Sequence, residues 1–344
     1  MHGKRGLLTL ASLAIAVVFA EALCSLSPFA RSAIFVVDPD VGVVRAPSQR
    51  GLVPSGEEDG RWTSLTINAL GLRGDEVPMP KPAGETRVLC LGDSFVFGGG
   101  LGDDETLTAS AQRLCGRGVD HARFINAGGN GHDTRTTALA LKRLAPLVDP
   151  DVVVIGWNWN DVVSLKEPFR LGADLRLAPA WVRRTALYKT THAERWPRVD
   201  AEGAARHRDE VLAVARTDAP YAAACAAFES IATVCRNQKC CLLVLAMPEL
   251  TWTESGAFPS LPKLAAVLDR LRIAWVDGQP AHFAALRRGE KLTQALDPCH
   301  PSAAGTREMA RVLLRALWER GWIPEAPTAS ADVEASIVDA SASR

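Results

Sequence analysis

Short apolar runs alternate with amphipathic stretches along the chain from residue 87 to residue 318. The apolar runs are four to six residues long, and apolar residues occupy both alternating faces, as is typical of buried parallel strands. The amphipathic stretches carry apolar side chains at helical spacing. The pattern predicts strands at Arg87–Leu91, Ala122–Asn126, Val152–Trp157, Cys241–Ala246 and Ile273–Val276, and helices at about 105–115, Thr134–Leu147, Ala219–Cys235, Leu261–Leu271 and Ala303–Trp318.

This alternation predicts an α/β fold with three layers, α/β/α, in which helices cover both faces of a parallel sheet. Five strands suit the flavodoxin-like order 2-1-3-4-5. Ligands of such sheets bind beyond the carboxyl ends of the strands, near the switch point between the first and third strands. We therefore expect the chemistry of this protein in the turns that follow the first three strands.

Residues 1–32 are predicted to be a signal anchor or a signal peptide. Lys4 and Arg5 precede the uncharged run 6–20, and this pattern is typical of an export signal. The triplet 20–22 has the small-x-small form of a cleavage site, but the stretch 6–26 is also long enough to span a bilayer. Both alternatives place the folded domain outside the cytoplasm, either on a single-pass cell-membrane anchor or in the periplasm after signal cleavage.

The remaining chain divides into four predicted parts. Residues 33–86 are predicted to form a connector rich in Pro, Gly and charge, with a strand-like stretch at 64–70 that is expected to add to the main domain. The main domain covers residues 87–322. Its long insertion at 162–217, with many arginines and two tryptophans, is either a lid or substrate loop, or a solvated helical cap. The tail at 323–344 is rich in Ala, Ser and Asp, and is predicted to be disordered.

Charge and cysteine content narrow the possible partners. Lys plus Arg equals Asp plus Glu, at 39 each, so no global positive field favours nucleic acid as a partner. The eight cysteines form no CxxC pair, and no HExxH spacing occurs, so neither a metal nor a cofactor is predicted. In an exported domain Cys235 could form a disulfide with Cys240 or Cys241, and reduced thiols are the alternative.

Reactive residue types follow the predicted strands. Gly92-Asp93-Ser94 follows the first strand and places Ser94 at a helix start, where backbone N–H groups favour negative charge. The glycine-rich turn 126–131 follows the second strand and allows close approach of a ligand. The segment 158–161 follows the third strand and offers side-chain amides. Late in the chain, Asp297 and His300 precede a helix that begins at a proline.

These four segments together resemble the sequence blocks of the SGNH (GDSL-type) serine hydrolase family, over about residues 66–320. VLCLGDSFVFG resembles the first block, INAGGNG the second, PDVVVIGWNWND the third and DPCHPSAAG the last. The N-terminal apolar segment, followed by INALGLRG and GETRVLCLGDSFVFG, also resembles membrane-anchored bacterial members of the family. The resemblance implies a nucleophile at Ser94, a base at His300 and an orienting carboxylate at Asp297.

The resemblance also implies an oxyanion hole formed by the N–H groups of Ser94 and Gly131 and the side-chain amide of Asn160. The register counted from Pro150 puts Asn160 at the asparagine of the third block and Asn158 at its glycine. A rival register makes Asn158 the donor. We interpret Asp93 and Asp161 as loop-ordering residues, and Cys299 as a packed thiol without a catalytic role.

The function expected from the resemblance is an extracytoplasmic serine ester hydrolase. Its partners would be an ester or acylated-glycan substrate, such as O-acyl groups on envelope or extracellular glycans, and the membrane through the N-terminal segment. This substrate class is expected by analogy and topology. The alternatives are an O-acetyltransferase that uses the same triad and a catalytically idle glycan-binding or assembly domain.

Overall fold

A computed structural model describes residues 2–38, 41–58, 60–116, 122–162, 179–192, 216–250 and 260–324, with a few single positions between 202 and 214. The N-terminal part contains one long helix and two antiparallel hairpins. These elements are α1 (His2–Ser25), a 3₁₀ helix (Pro28–Arg31), β1 (Phe35–Asp38), β2 (Gly42–Arg45), β3 (Gln49–Pro54) and β4 (Trp62–Ile67).

Strands and helices alternate through the main domain. Its elements are β5 (Thr86–Gly92), α2 (Ser94–Phe97), α3 (Leu107–Cys115), β6 (Ala122–Gly128), α4 (Thr134–Val148), β7 (Val152–Trp157), a 3₁₀ helix (Trp159–Val162), α5 (Ala180–Arg183), α6 (Ala186–His192), α7 (Ala219–Gln238), β8 (Cys241–Ala246), α8 (Leu261–Leu271), β9 (Ala274–Asp277), α9 (Gln279–Arg287) and α10 (Ala303–Trp318).

Within the described residues, five parallel strands form the main sheet in the order β6-β5-β7-β8-β9. This is the 2-1-3-4-5 order, so the predicted flavodoxin-like fold is confirmed. Gly92 at the end of β5 lies level with Gly128 of β6 and Gly156 of β7. The turns that follow these three strands therefore leave the sheet side by side.

Helices cover both faces of this sheet. Leu89 and Leu91 of β5 point into a core formed with α4, α7 and α8, whereas Val88 and Cys90 point into a core formed with α3 and α10. This alternation follows from the two-residue period of a strand. Because both sets of side chains are buried, the strands have the continuous apolar character from which they were predicted.

The connector contributes more structure than its irregular pattern indicates. The strand expected at 64–70 exists as β4, but it pairs with β3 and not with the main sheet. The sequence did not predict β1, β2, β3 or the helix α9. Arg73 connects this region to the main sheet, because its backbone N–H donates to Asn126 O at 3.2 Å. The domain boundary at residue 87 stays a prediction.

The N-terminal helix lies against the domain only at its end. The stretch Gly6–Ser25 is long and apolar enough to cross a membrane, and none of it is buried in the protein. Near its end, Glu21 accepts hydrogen bonds from the backbone N–H groups of Ala186 (2.6 Å) and Leu187 (2.8 Å). Of the predicted insertion at 162–217, only residue 162, residues 179–192, residues 216–217 and a few positions between 202 and 214 are described. The tail beyond residue 324 lies outside the described residues.

Candidate active site

The nucleophile candidate Ser94 begins the short helix α2 directly after β5. Asp93 caps this helix, because its Oδ1 accepts the N–H of Phe95 at 2.9 Å. Gly92 has φ +152, and a Cβ there would lie 2.4 Å from Gly156 O. Only glycine therefore allows β5 to turn so close to β7. The tight turn brings Ser94 to the carboxyl edge of the sheet.

Ser94 belongs to a continuous hydrogen-bond relay. Its Oγ lies 2.8 Å from His300 Nε2, and His300 Nδ1 lies 2.7 Å from Asp297 Oδ2. A proton on Nδ1 donates to the carboxylate, and this tautomer leaves Nε2 as the acceptor for the serine hydroxyl. The other oxygen of Asp297 accepts the N–H of Cys299 at 2.9 Å. The structure thus brings together the three residues predicted to form the triad.

The loop that carries His300 is fixed by Gln294, a residue that the sequence did not single out. Its backbone N–H donates to His300 O at 3.0 Å. Its side-chain amide donates to Gly99 O at 2.7 Å and to Pro301 O at 3.0 Å. Gly99 directly follows the helix of Ser94 and its C-cap. Gln294 therefore connects the loop of His300 to the segment that follows Ser94, in addition to the hydrogen bonds of the relay.

The second turn lies against the first. Gly129 N donates to Gly92 O at 2.9 Å, and the Asn126 side chain donates to Val96 O at 2.8 Å. A Cβ at Gly128 would lie 2.3 Å from Phe97 N, so glycine is required where the two turns meet. Gly131 follows in the left-handed conformation, with φ +73. Its part in an oxyanion hole stays a prediction.

The third turn contains both candidate amides. The Asn158 side chain is almost fully buried, and its Oδ1 accepts the N–H of Trp159 at 2.8 Å. Asn160 is half-buried. Both amides lie close enough to the carboxyl group of Asp93 to lower its pKa, but Asn158 Nδ2 and Asp93 Oδ2 have no hydrogen-bond partner among the described residues. The greater exposure of Asn160 favours it as the group that a substrate reaches, and its role as oxyanion donor stays a prediction.

Two buried carboxyl groups order these turns. Burial raises the pKa of Asp93 to about 6, against the lowering effect of its hydrogen bonds and of His300. Burial also raises the pKa of Asp161 well above its usual range, and the charge of Asp93 adds to this. Asp161 Oδ2 accepts the N–H of Asn158 at 2.8 Å. Each carboxyl group thus accepts a backbone N–H of its own turn, in agreement with a loop-ordering role.

Cys299 lies in the loop between Asp297 and His300 but is not poised to react. Burial raises the pKa of its thiol to about 11, and the charges of Asp297 and Glu249 add to the effect. The thiol is therefore protonated at neutral pH, and the thiolate is the reactive form. The residues that the structure describes contain no cluster of three or more His, Cys, Asp or Glu side chains suited to a metal ion.

No protein-family model matches the chain, and no curated protein matches its sequence. Several solved structures do match. TesA is 19% identical over 67% of this chain and 98% of its own, with a TM-score of 0.42. A catalytic mutant of an acetylxylan esterase from Geobacillus stearothermophilus is 17% identical over 67% of this chain and 94% of its own, with a TM-score of 0.40. A member of the lipolytic protein G-D-S-L family from Veillonella parvula is 15% identical over 67% of this chain and 97% of its own, with a TM-score of 0.40.

Proposed function

We propose that this protein is a serine ester hydrolase of the GDSL type whose catalytic domain works outside the cytoplasm. The relay Ser94–His300–Asp297, with its distances of 2.8 and 2.7 Å, is the observation that carries the proposal. Ser94 lies 206 positions before His300 in sequence, yet the three residues meet in the order that activates a serine hydroxyl. The same relay is the minimum machinery for acyl transfer from an ester.

In the first half of the reaction, Ser94 Oγ attacks the ester carbonyl carbon while its proton moves to His300 Nε2. Asp297 accepts the Nδ1 hydrogen bond and stabilises the imidazolium that forms. The imidazolium then donates the proton to the departing alcohol as the C–O bond breaks. An acyl group remains on Ser94.

The negative charge that develops on the carbonyl oxygen requires donors in fixed positions. Ser94 is the first residue of α2, and the first N–H groups of a helix have no acceptor within it. We assign the Ser94 N–H, the Gly131 N–H and the Asn160 amide to this role. Each such donor is typically worth about 3 kcal/mol of transition-state stabilisation.

In the second half of the reaction, water attacks the acyl group with His300 again as the base. The His300 side chain is 20% exposed, so solvent reaches the reacting atoms. An open site favours water over a sugar hydroxyl as the acceptor, because a transferase must exclude water while it holds its acceptor. This exposure supports hydrolysis over the alternative O-acetyltransferase reaction.

The N-terminal helix supports the proposed location of the domain outside the cytoplasm. Its large apolar side chains face outward, and an apolar surface of this length needs lipid around it. Lys4 and Arg5 at its start favour the cytoplasmic side for the N-terminus. A domain held on the outer side of a membrane meets the acylated glycans of the cell envelope, which we propose as the substrate class.

Labelling with a fluorophosphonate probe tests the proposal. We expect the full chain in detergent to be labelled once, and Ser94→Ala to abolish labelling and to lower kcat for p-nitrophenyl esters by on the order of 10⁴–10⁶-fold. Ser64→Ala, a change at an exposed serine of β4, is the matched control and should label like the wild type. Equal labelling of Ser94→Ala and wild type would contradict the assignment. Acetylated sugars then test the substrate class.

A further inference from the structure

Two cysteines meet where α7 ends and β8 begins. Lys239 follows the helix in the left-handed conformation, with φ 57. Its N–H donates to Arg236 O at 3.2 Å, and the N–H of Cys240 donates to Cys235 O at 3.0 Å. This pair of hydrogen bonds is the Schellman motif, in which the side chains at the positions of Cys235 and Cys240 commonly touch. The end of the helix therefore brings these two thiols together.

The contacts of the side chains distinguish Cys240 from Cys241. Cys235 is buried in the core beneath one face of the sheet, and Cys240 packs against that same core. Cys241 is paired with Val152 in the sheet and packs against the core on the opposite face. Successive side chains of a strand point in opposite directions, so Cys241 faces away from Cys235.

The two thiols also differ in reactivity. The Cys240 thiol donates to Cys235 O at 3.6 Å. The interaction with the Cys235 thiol lowers the pKa of Cys240, whereas the interaction with Cys240, together with burial, raises the pKa of Cys235. Cys240 is half-buried and Cys235 is buried. The more accessible thiol is thus also the one that ionises more readily, and the thiolate is the form that attacks a disulfide.

We propose that Cys235 and Cys240 form a disulfide when the protein meets a disulfide-bonded oxidant, and that Cys241 stays reduced. The Cys240 thiolate attacks one sulfur of the oxidant, and the other sulfur leaves as a thiolate. Cys235 then loses its proton and attacks the Cys240 sulfur, which releases the second thiolate. Two thiols of the protein are oxidised by two electrons, and the oxidant becomes two thiols.

The bond would connect the end of α7 to the amino end of β8. Ser94 lies at the carboxyl edge of the sheet, so oxidation should leave ester hydrolysis unchanged. The pairing chemistry is independent of the proposed hydrolase activity. Its occurrence in the cell rests on the proposed location, because such oxidants act outside the cytoplasm.

Thiol mapping on the purified full chain tests the pairing. The protein in detergent is reduced, treated with oxidised glutathione, alkylated with a maleimide and digested with trypsin. Of eight cysteines, we expect two to lose their maleimide, with a mass loss of two hydrogen atoms. Trypsin cleaves after Arg236 and Lys239, so the bond should join two peptides. A full set of alkylated cysteines would overturn the proposal.

Three variants identify the partner. Cys240 and Cys241 share a tryptic peptide, so single substitutions must separate them. Cys240→Ser and Cys235→Ser should each abolish the cross-link, whereas the matched control Cys241→Ser should retain it. A cross-link that disappears in Cys241→Ser and persists in Cys240→Ser would overturn the assignment. Because Cys240 is half-buried and Cys235 is buried, Cys240→Ser should disturb folding less than Cys235→Ser does.

The same mapping on protein alkylated inside cells separates this proposal from the proposed function. We expect the disulfide in cells. If the purified protein forms the bond but the cellular protein is reduced, the pairing stands and the proposed location is wrong. If the purified protein labels at Ser94 with the probe but never forms the bond, the hydrolase stands and the disulfide proposal is wrong.

Discussion

At the scale of single residues, the two side-chain amides of the third turn, those of Asn158 and Asn160, differ in how accessible they are to a substrate. Asn158 is 1% exposed, so its side-chain N–H groups, which are the part of an amide that could donate to an oxyanion, are shielded from a substrate. Asn160 is half-buried. We therefore predict that Asn160→Ala lowers kcat by about 10²–10³-fold with little change in KM, and that Asn158→Ala lowers kcat much less.

Steady-state kinetics on one activated ester, with both variants side by side, checks this prediction. Asn158→Ala also removes a hydrogen bond within the turn, so thermal unfolding of each variant shows whether any loss reflects folding. A greater kcat loss in Asn158→Ala, at an unchanged Tm, would favour the rival register of the third block.

His132 makes the stability of the folded protein depend on pH. It lines a cavity of about 230 Å³ between the β1–β2 hairpin and the turn 128–130, and neither ring nitrogen has a partner among the described residues. Burial lowers its pKa from 6.5 to about 4, although Asp133 and Asp38 raise it. The folded state thus binds this proton less readily than the unfolded state.

Because of this difference, the folded protein loses stability as the pH falls. The contribution of His132 to stability is complete above pH 6.5 and is lost as pH falls towards 4. Between pH 7.5 and pH 5 this amounts to about 2 kcal/mol of unfolding free energy. We predict that His132→Leu lessens the loss of stability over that interval, measured by urea unfolding at both values. An equal loss in the variant and the wild type would contradict it.

The sequence predicted some residues of the candidate site and missed others. Ser94, Asp297 and His300 were predictable because each stands in a short segment with a recognisable order of residue types. Gln294 was not, because a single glutamine in a loop has no pattern, and its acceptor Gly99 lies 195 residues away. Contacts of this kind become visible only when the chain has folded.

At the scale of elements, the short helix α2 is stabilised by a residue of the connector. The Arg73 guanidinium donates to Phe97 O at 2.9 Å, to Gly98 O at 2.6 Å and to Leu101 O at 2.6 Å. Its Nε also pairs with Asp103 at 3.3 Å. Burial lowers the pKa of Arg73 to about 10, so the group stays charged at neutral pH. Arg73 therefore fixes the end of the helix that begins with Ser94.

We predict that Arg73→Ala lowers the unfolding free energy by about 3–5 kcal/mol, because it removes the charged donor of three carbonyl groups and the ion pair with the part-exposed Asp103. Arg73→Lys keeps the charge but cannot span all the acceptors. It should fold and show a reduced kcat. Arg113→Ala, which removes hydrogen bonds to Asp104 O and Ser110 Oγ at the edge of α3, is the control. A wild-type kcat in Arg73→Lys would argue against a positioning role.

The elements that the sequence predicted share one physical property. The central strands β5 and β7 are almost completely buried on both faces, so their apolar runs are continuous, and α10 exposes a single polar face. The strands β1 to β3, which the sequence did not predict, are short, antiparallel and largely half-exposed, with glycines and a proline among them. Their stability comes from packing on the main domain, and such packing cannot be predicted from the local pattern of apolar and polar residues.

At the scale of the whole molecule, the contact of Glu21 bears on whether the N-terminal helix is retained. Its carboxylate accepts the first two N–H groups of α6, and Arg183 donates to Phe35 O at 3.1 Å beside it. Cleavage after residue 22 would remove Glu21 and leave the start of α6 without this partner. We propose on the basis of this contact that the helix is retained as an uncleaved anchor, and signal cleavage is the alternative.

We predict that the full chain stays with the membrane fraction at its complete mass, because the outward apolar helix needs lipid and the domain engages its end. A variant that lacks residues 1–32 should be soluble. Glu21→Ala should stay in the membrane, since the apolar length is unchanged, but it should expose residues 179–192 to proteolysis faster than the wild type, with Glu21→Gln intermediate. A soluble protein that begins at Leu23 would establish signal cleavage. Wild-type proteolysis of Glu21→Ala would show that the contact does not order α6.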